Sequence, residues 1–320
     1  MGEVPETGQA LSTDEIRLAL LAARRYYFED RSKVAIAAEL GVSRFKVARL
    51  LDRARAEGLV TVVINEPGAV ELDLSTRLAT QLGLQRVIVA DPIDAQSSVP
   101  AVAGQAAAHL RNVVMAGSFL GIAWSRAVRA LSDQLSGLPP CTVVQLCGVL
   151  PRPAGEEHNV ELVRRAAQAC GGNAVTFYAP LVLPDAATAR TLRAQPGIAD
   201  ALSACDRVSV AVIAVGHWKA GSSTVYDALG PAHAGVFTRR GAIAESCGML
   251  FDADGKVLRA GLQKRVVAIS ESQLRNVDDV IALATEPERA EAIRAIARSG
   301  LVTTLVTHRA VAERLLNDSN

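Results

Sequence analysis

The chain of 320 residues is half apolar and 21% charged, which excludes an extended disordered protein and leaves room for a large buried core. With 34 basic and 33 acidic residues it is no polycation, so any affinity for nucleic acid has to come from a local patch. Five scattered cysteines without CxxC spacing argue against a zinc or disulfide framework; with a start of MGEVPETGQ and no apolar run near the ~18 residues of a membrane helix, they point to a soluble cytoplasmic protein.

Residues 1–11 read as a disordered lead-in. Ser12 and Glu15 offer a capping box for a first helix reaching about Phe28, with Ile16, Leu20, Ala23 and Tyr27 inward. Tyr26, Tyr27 and Phe28 are assigned to core packing, with base stacking as the alternative. Ser32 suits the N-cap of a helix over 33–40, in which Val34, Ala37 and Ala38 recur at helical spacing. Gly41 stops it, because the left-handed conformation past a helix end costs glycine nothing. Ser43 caps a second helix over 44–57, whose inward stripe is Val47, Leu50, Leu51 and Ala54. Lys46, Arg49 and Arg53 share another face, with Arg44 at the helix start. From Ser43 to Ala56, five basic residues (Arg44, Lys46, Arg49, Arg53, Arg55) stand against one acid, Asp52. Gly58 ends the helix, and 59–64 is a β-rich run suited to a wing.

Two capped helices joined at a glycine, the second cationic on one face, form a helix-turn-helix pattern whose second helix enters the DNA major groove. The expected DNA-binding residues are Lys33, Ser43, Arg44, Lys46, Val47, Arg49 and Arg53. The plain alternative is the solvated face of an ordinary amphipathic helix.

Residues 65–68, Asn-Glu-Pro-Gly, mark a boundary between a DNA-binding domain over 12–65 and a second domain over 66–320. Beyond it a helix over 72–82 precedes alternating strands and helices. Strands are expected at 86–90, 119–123, 142–146, 174–178, 208–215, 265–270, 280–284 and 302–306, and helices at 99–114, 125–134, 160–169, 186–193, 286–297 and 309–316. This alternation predicts an α/β fold, a doubly wound and mainly parallel sheet covered by helices on both faces. The Asp-Gly turn within 247–260 predicts a hairpin.

Ligands of such sheets sit at the carboxyl ends of strands. The leading candidate is the strand-to-helix joint at 118–127, where Ser125 and Arg126 could donate to a hydroxyl or phosphate and Trp124 could cover a sugar ring. A buried tryptophan beside a surface arginine is the competing reading. The loop 216–223 either lines that pocket or is a plain surface loop, and Lys219 within it is a remote Schiff-base candidate. His158 and Asn159 suit a cap or surface role more than ligand contact. No HxxxH, paired-acid or GxSxG pattern supports metal, glycosidase or esterase chemistry.

Tyr26-Tyr27, AAELGVSRFKVARLL and AEGLVTVVI resemble the DNA-binding domain of SorC-type transcriptional regulators, bacterial sugar-responsive repressors and activators. Lys33 replaces a frequent glutamine of that family, favouring a phosphate contact there. The rest of the chain is similar to the family's effector domain, whose fold is related to sugar-phosphate isomerases and glucosamine-phosphate deaminase. GIAWSRAV resembles its G-x-x-W-G-R-T phosphate-binding turn, VVQLCGVL its V-Q-x-x-G strand, YAPLVLPD its A-P-L segment, and GAIAESCGMLFDADG its G-A-V-G-D segment and following hairpin. ALATEPERAEAIRAIARSGLVTTLVTHRAVAERLL is similar to its closing pattern. The resemblance implies an effector site including Gly121, Trp124, Ser125, Arg126, Gly148, Gly216, Glu245 and Arg289. Several family donors are replaced: Ser125 and Ala127 stand for Gly and Thr, Thr285, Glu286 and Arg289 for Gly-Gly-x-x-Lys, Ala244-Glu245 for Gly-Asp, and Thr307-His308 for Thr-Asp. These losses weaken a phosphate site, and Glu286 would add repulsion if it faced the pocket, so an effector less phosphorylated than usual, such as a free sugar or polyol, is expected, with Arg126 and Arg289 left as anion partners.

The expected function is operator binding at a carbohydrate or polyol operon, controlled by a sugar, polyol or sugar phosphate, with no cofactor or metal. Two-fold operators call for an oligomer, and the resemblance implies a homotetramer. Two rivals remain: an isomerase or deaminase with Glu245 and His308 as its acid–base hints, and a helix-turn-helix serving as a protein-docking module.

Overall fold

The computed structural model describes residues 13–60, 69–92, 94, 96–150, 159–259 and 261–317. The chain divides into two compact units, Met1–Asn65 and Glu66–Asn320.

The smaller unit holds three helices, α1 (Thr13–Tyr27), α2 (Lys33–Leu40) and α3 (Arg44–Ala56). The Ser32 hydroxyl accepts from the Ala35 amide and the Ser43 hydroxyl from the Lys46 amide, each at 3.2 Å. Gly41 ends α2 at φ 64°, the left-handed position its lack of a side chain allows. Val47, Leu50, Leu51 and Ala54 of α3 are all buried, against Ala19, Ala22 and Ala23 of α1 and Ile36 and Ala37 of α2. The phase of the two flanking helices differs from expectation. Leu20 is 45% and Val34 63% exposed, because the helices meet along alanines that permit close approach. In an eight-residue helix two apolar seams fit the spacing equally, and tertiary packing chooses Ile36–Ala37. Phe28, 86% exposed, is not a core residue, whereas Tyr26 and Tyr27 pack on the core. The lead-in, the Ser12 capping box and residues 61–64 of the expected wing lie outside the described residues.

The larger unit starts with β1 (Ala69–Val70), α4 (Leu72–Leu82), β2 (Arg86–Asp91), α5 (Ser98–Val113), β3 (Phe119–Ile122), α6 (Arg126–Ser132) and β4 (Thr142–Gln145). It continues through α7 (Asn159–Ala169), β5 (Asn173–Val175), α8 (Ala186–Arg193), α9 (Pro196–Ala204), β6 (Val210–Ala214), β7 (Gly216–His217) and α10 (Thr224–Thr238). The last elements are β8 (Ala244–Ser246), β9 (Met249–Phe251), α11 (Glu271–Arg275), β10 (Asp279–Leu283), α12 (Ala290–Arg298), β11 (Thr304–His308) and α13 (Arg309–Asn317).

Eight strands form one sheet in the order β1-β2-β11-β10-β6-β3-β4-β5, parallel throughout except for the β1–β2 pair. Alternate residues feed opposite faces: Val210 and Val212 of β6 join Leu120 and Ile122 in one core, while Ala211 and Ile213 join the other. Burial on both faces explains the near-continuous apolar runs of these strands. β7, β8 and β9 make a small antiparallel sheet, and the Asp-Gly hairpin is present, with Phe251 bridging Val257 across it.

Three expectations change. Residues 265–270 are no strand: after a 3-10 turn over Leu262–Arg265, only isolated bridges form, Val182 to Val266 and Cys147 to Ala268. Helices α9 and α10 were unanticipated. Pro196 opens α9 at the position where a missing N–H costs nothing, and α10 spans Gly230-Pro231, at which it is kinked with Gly230 at φ 74°. The helix expected over 286–297 begins instead as a 3-10 turn, Pro287–Arg289, before α12.

Candidate functional site

Two constellations emerge, one in each unit. On α3, Ser43, Arg44, Lys46 and Arg49 are exposed. Its first turn carries no acidic residue, although two cations there oppose the helix dipole. Such an arrangement costs stability unless an anion comes to the surface. The Arg44 guanidinium stacks 4.8 Å from the Phe45 ring, which is itself 66% exposed, and Lys33 Nζ lies 5.6 Å from the Tyr26 ring. Arg53 is only partly exposed and sits 3.9 Å from Glu15, and Arg55 pairs with Asp52 at 2.5 Å. One expected contact residue is corrected: Val47 is wholly buried in the three-helix core and cannot touch DNA. The Ser43 hydroxyl is engaged in capping.

The second constellation is a cavity of about 450 Å³ in the larger unit. It opens at the carboxyl ends of β3, β4, β6 and β10. Between β3 and β6 the chain reverses its direction of travel across the sheet, the point at which α/β sheets leave a crevice. Trp124, Ser125, Arg126, Gly148, Gly216, Glu245 and Arg289 all line it, brought together from five separated segments. Gly121 does not. It lies within β3, where a Cβ would meet Leu146 Cδ2 at 2.6 Å and Val208 Cγ1 at 3.0 Å, so it is a packing glycine. At Gly148 a Cβ would come within 2.7 Å of the Ala179 carbonyl oxygen and the Leu181 nitrogen. At Gly216 it would sit 3.0 Å from Glu245 Oε2, so this glycine makes room for the carboxyl group.

The Ser125 hydroxyl accepts from the Val128 amide at 3.0 Å, capping α6. Arg126, 75% exposed, donates to Glu286 Oε1 at 2.8 Å. Glu286 Oε2 faces Arg289 Nε at 3.4 Å and accepts from the Thr285 hydroxyl at 3.0 Å, while Arg289 Nη1 donates to the Val215 carbonyl at 2.6 Å. Deeper in, Glu245 Oε1 accepts from the Gly248 amide at 2.7 Å and Oε2 from the Ser223 hydroxyl at 3.4 Å. Burial pushes the Glu245 carboxyl up to about 7, and the Gly248 amide, the Ser223 hydroxyl and Arg289 only partly oppose it.

The loop 216–223 lines the cavity through Gly216, Gly221, Ser222 and Ser223. Trp218 does not: it is buried against Tyr226 and Phe237, with ring centroids 5.3 and 6.0 Å away. Lys219 is exposed and is not a lining residue, which removes the Schiff-base reading. His158 lies outside the described residues, but Asn159 is buried at the cavity, its amide donating to the Cys147 and Gly148 carbonyls at 3.2 Å each. Sequence reasoning passed over Arg129 and Asp227 as cavity residues. Ser223, the last residue of the loop expected at the pocket, also caps α10 by accepting from the Tyr226 amide.

The model of the family described as "Putative sugar-binding domain" matches residues 68–317. The sorbitol operon regulator of Klebsiella pneumoniae is 25% identical over 312 residues, covering 95% of this chain and 99% of that protein. The crystal structure of the full-length regulator SorC from the same organism matches with a TM-score of 0.70, covering 95% of this chain and all of the other. This chain belongs to the SorC-type family of sugar-binding transcriptional regulators. The transcriptional regulator YjhU of Escherichia coli strain K12 is 26% identical to it over 321 residues, 97% of each chain. As a SorC-type protein, the chain has its cavity wholly inside the segment matched by the sugar-binding domain.

Proposed function

We propose that the chain binds operator DNA of a carbohydrate or polyol operon through α3, and that a sugar, polyol or sugar phosphate in the cavity controls that binding. The observation carrying this reading is the exposed Arg44 and Lys46 on a first turn that lacks any acid, with exposed Arg49 one turn further on. Arg44, Lys46 and Arg49, with Lys33 and Arg53 at the margin, neutralise phosphates and reach base edges. The cavity supplies the counterpart for a carbohydrate: Trp124 for a ring face, and Glu245, Ser222, Ser223 and the two arginines for hydroxyls or an anion.

A single three-helix unit on a nearly neutral chain binds DNA weakly, so the working form is an oligomer, by family resemblance a homotetramer, acting in the cytoplasm. An effector shifts DNA binding only as far as it prefers one arrangement of that oligomer over the other. The isomerase or deaminase reading has less support. It requires Glu245 and His308 to share the cavity, whereas His308 Nε2 is bonded to the Thr285 carbonyl at 2.8 Å and is not a lining residue.

Gel-shift titration of duplexes from the region upstream of the gene, at several salt concentrations, tests the DNA arm. The expected result is preference over scrambled duplex with affinity falling steeply as salt rises. Binding that ignores both salt and sequence would favour a protein-docking role instead. A thermal-shift screen of sugars, polyols and their phosphates tests the cavity arm.

A further inference from the structure

Among the described residues, the cavity's charged lining is balanced in number: Arg126, Arg129 and Arg289 against Asp227, Glu245 and Glu286. The balance is also local. Glu286 stands between the two guanidiniums that would hold an anion, at 2.8 Å from Arg126 and 3.4 Å from Arg289, and also takes the Thr285 hydroxyl at 3.0 Å. Its two oxygens therefore occupy donors on the β3–α6 joint and on the turn between β10 and α12, and its charge answers theirs. A phosphate entering here would have to displace this carboxylate or lie beside it, and like charges in a partly desolvated site repel.

We infer that Glu286 is a resident anion that makes this cavity select an uncharged, polyhydroxylated effector over its phosphate ester, and that removing Glu286 turns the same cavity into a phosphate site. The inference rests on the reading of the cavity as a carbohydrate site and sharpens it: the guanidinium pair orients the carboxylate, and the carboxylate excludes anions while leaving acceptor capacity for ligand hydroxyls. Specificity is then set by a repulsive element as much as by attractive ones.

The test is a calorimetric titration of the full chain with inorganic phosphate near pH 7.5, comparing wild type with Glu286→Ala, which removes charge and volume, and Glu286→Gln, which removes the charge alone. Thermal unfolding of each variant verifies folding; the Gln variant preserves shape should the Ala variant fail. Phosphate is expected to bind the Ala variant at least tenfold more tightly than wild type, with a smaller gain for Gln. Adding Arg126→Ala to either variant should abolish the gain. Equal phosphate affinity in wild type and both variants would overturn the inference, as would tighter binding by wild type of a sugar phosphate than of its dephosphorylated form. Failure of the underlying reading has a separate signature: no sugar, polyol or phosphate ester alters the thermal stability or DNA binding of any variant, while the inorganic phosphate titration still decides the role of Glu286.

Discussion

The α3 face and the proposed effector cavity use the same guanidinium chemistry in opposite ways. On α3 the cations of the first turn point into solvent with no acid beside them, whereas in the cavity Arg126 and Arg289 are answered by Glu286. The open face suits a polyanion that arrives whole, already attracted over a Debye length. The paired one suits a small ligand recognised by shape and hydroxyl contacts, with the buried Glu245 and the largely buried Arg289 both held by partners. In the proposed reading, charge is left exposed where it attracts and matched where it discriminates.

Four substitutions can break or sharpen this contrast. The α3 face depends on its buried seam, so Leu51→Ala, at a site only 2% exposed, should cost about 2–5 kcal/mol and unfold the small unit at lower denaturant while the cavity keeps its ligand. Urea denaturation followed by circular dichroism measures that loss.

In the cavity, Glu245 ties stability to pH. Its carboxyl is raised from an ordinary 4.5 to about 7, so the folded chain holds this proton after the unfolded chain has lost it. That contribution is fully in place below pH 4.5 and disappears as pH climbs through about 7, a loss on the order of 3 kcal/mol. Glu245→Gln should flatten this part of the profile, read as melting temperature against pH; an unchanged slope would reassign it.

On the open face, Arg49→Ala should weaken operator binding by about 1–3 kcal/mol if it reads a base, and relax sequence preference at one position. Unchanged gel-shift affinity would remove Arg49 from the recognition set. The smallest effect is expected for Lys46→Ala: a uniform weakening across sequences and a salt slope lower by about 1, as for a phosphate contact.

The two sites also differed in how far they could be read from sequence. The α3 face is local: caps at Ser32 and Ser43, a glycine stop and an apolar stripe all fall within a few turns, so both helices were placed to within a residue. Even there, Val47 could not serve two roles, and burial decided against the DNA contact. The parallel sheet was legible because strands buried on both faces write themselves as Val/Ile runs. The cavity was harder, since its lining comes from separated loops, short strands and helix starts, and only the order of several weak motifs pointed to it. Gly121 and Gly216 look alike in sequence, yet one packs against Leu146 inside a strand and the other makes room for Glu245. Glu286 read as a lost glycine and as a carboxylate that would repel a phosphate if it faced the pocket; that it bridges two arginines 160 and 3 residues away is a property of the fold alone.

The most direct test of the central claim is fluorescence anisotropy of a labelled upstream duplex titrated with the full chain, with and without the carbohydrate that gives the largest thermal shift. The account expects the two isotherms to separate by at least tenfold in affinity, about 1.4 kcal/mol of coupling, and expects a scrambled duplex to show neither the affinity nor the separation. Superimposed isotherms for both duplexes, with every carbohydrate that binds, would contradict it.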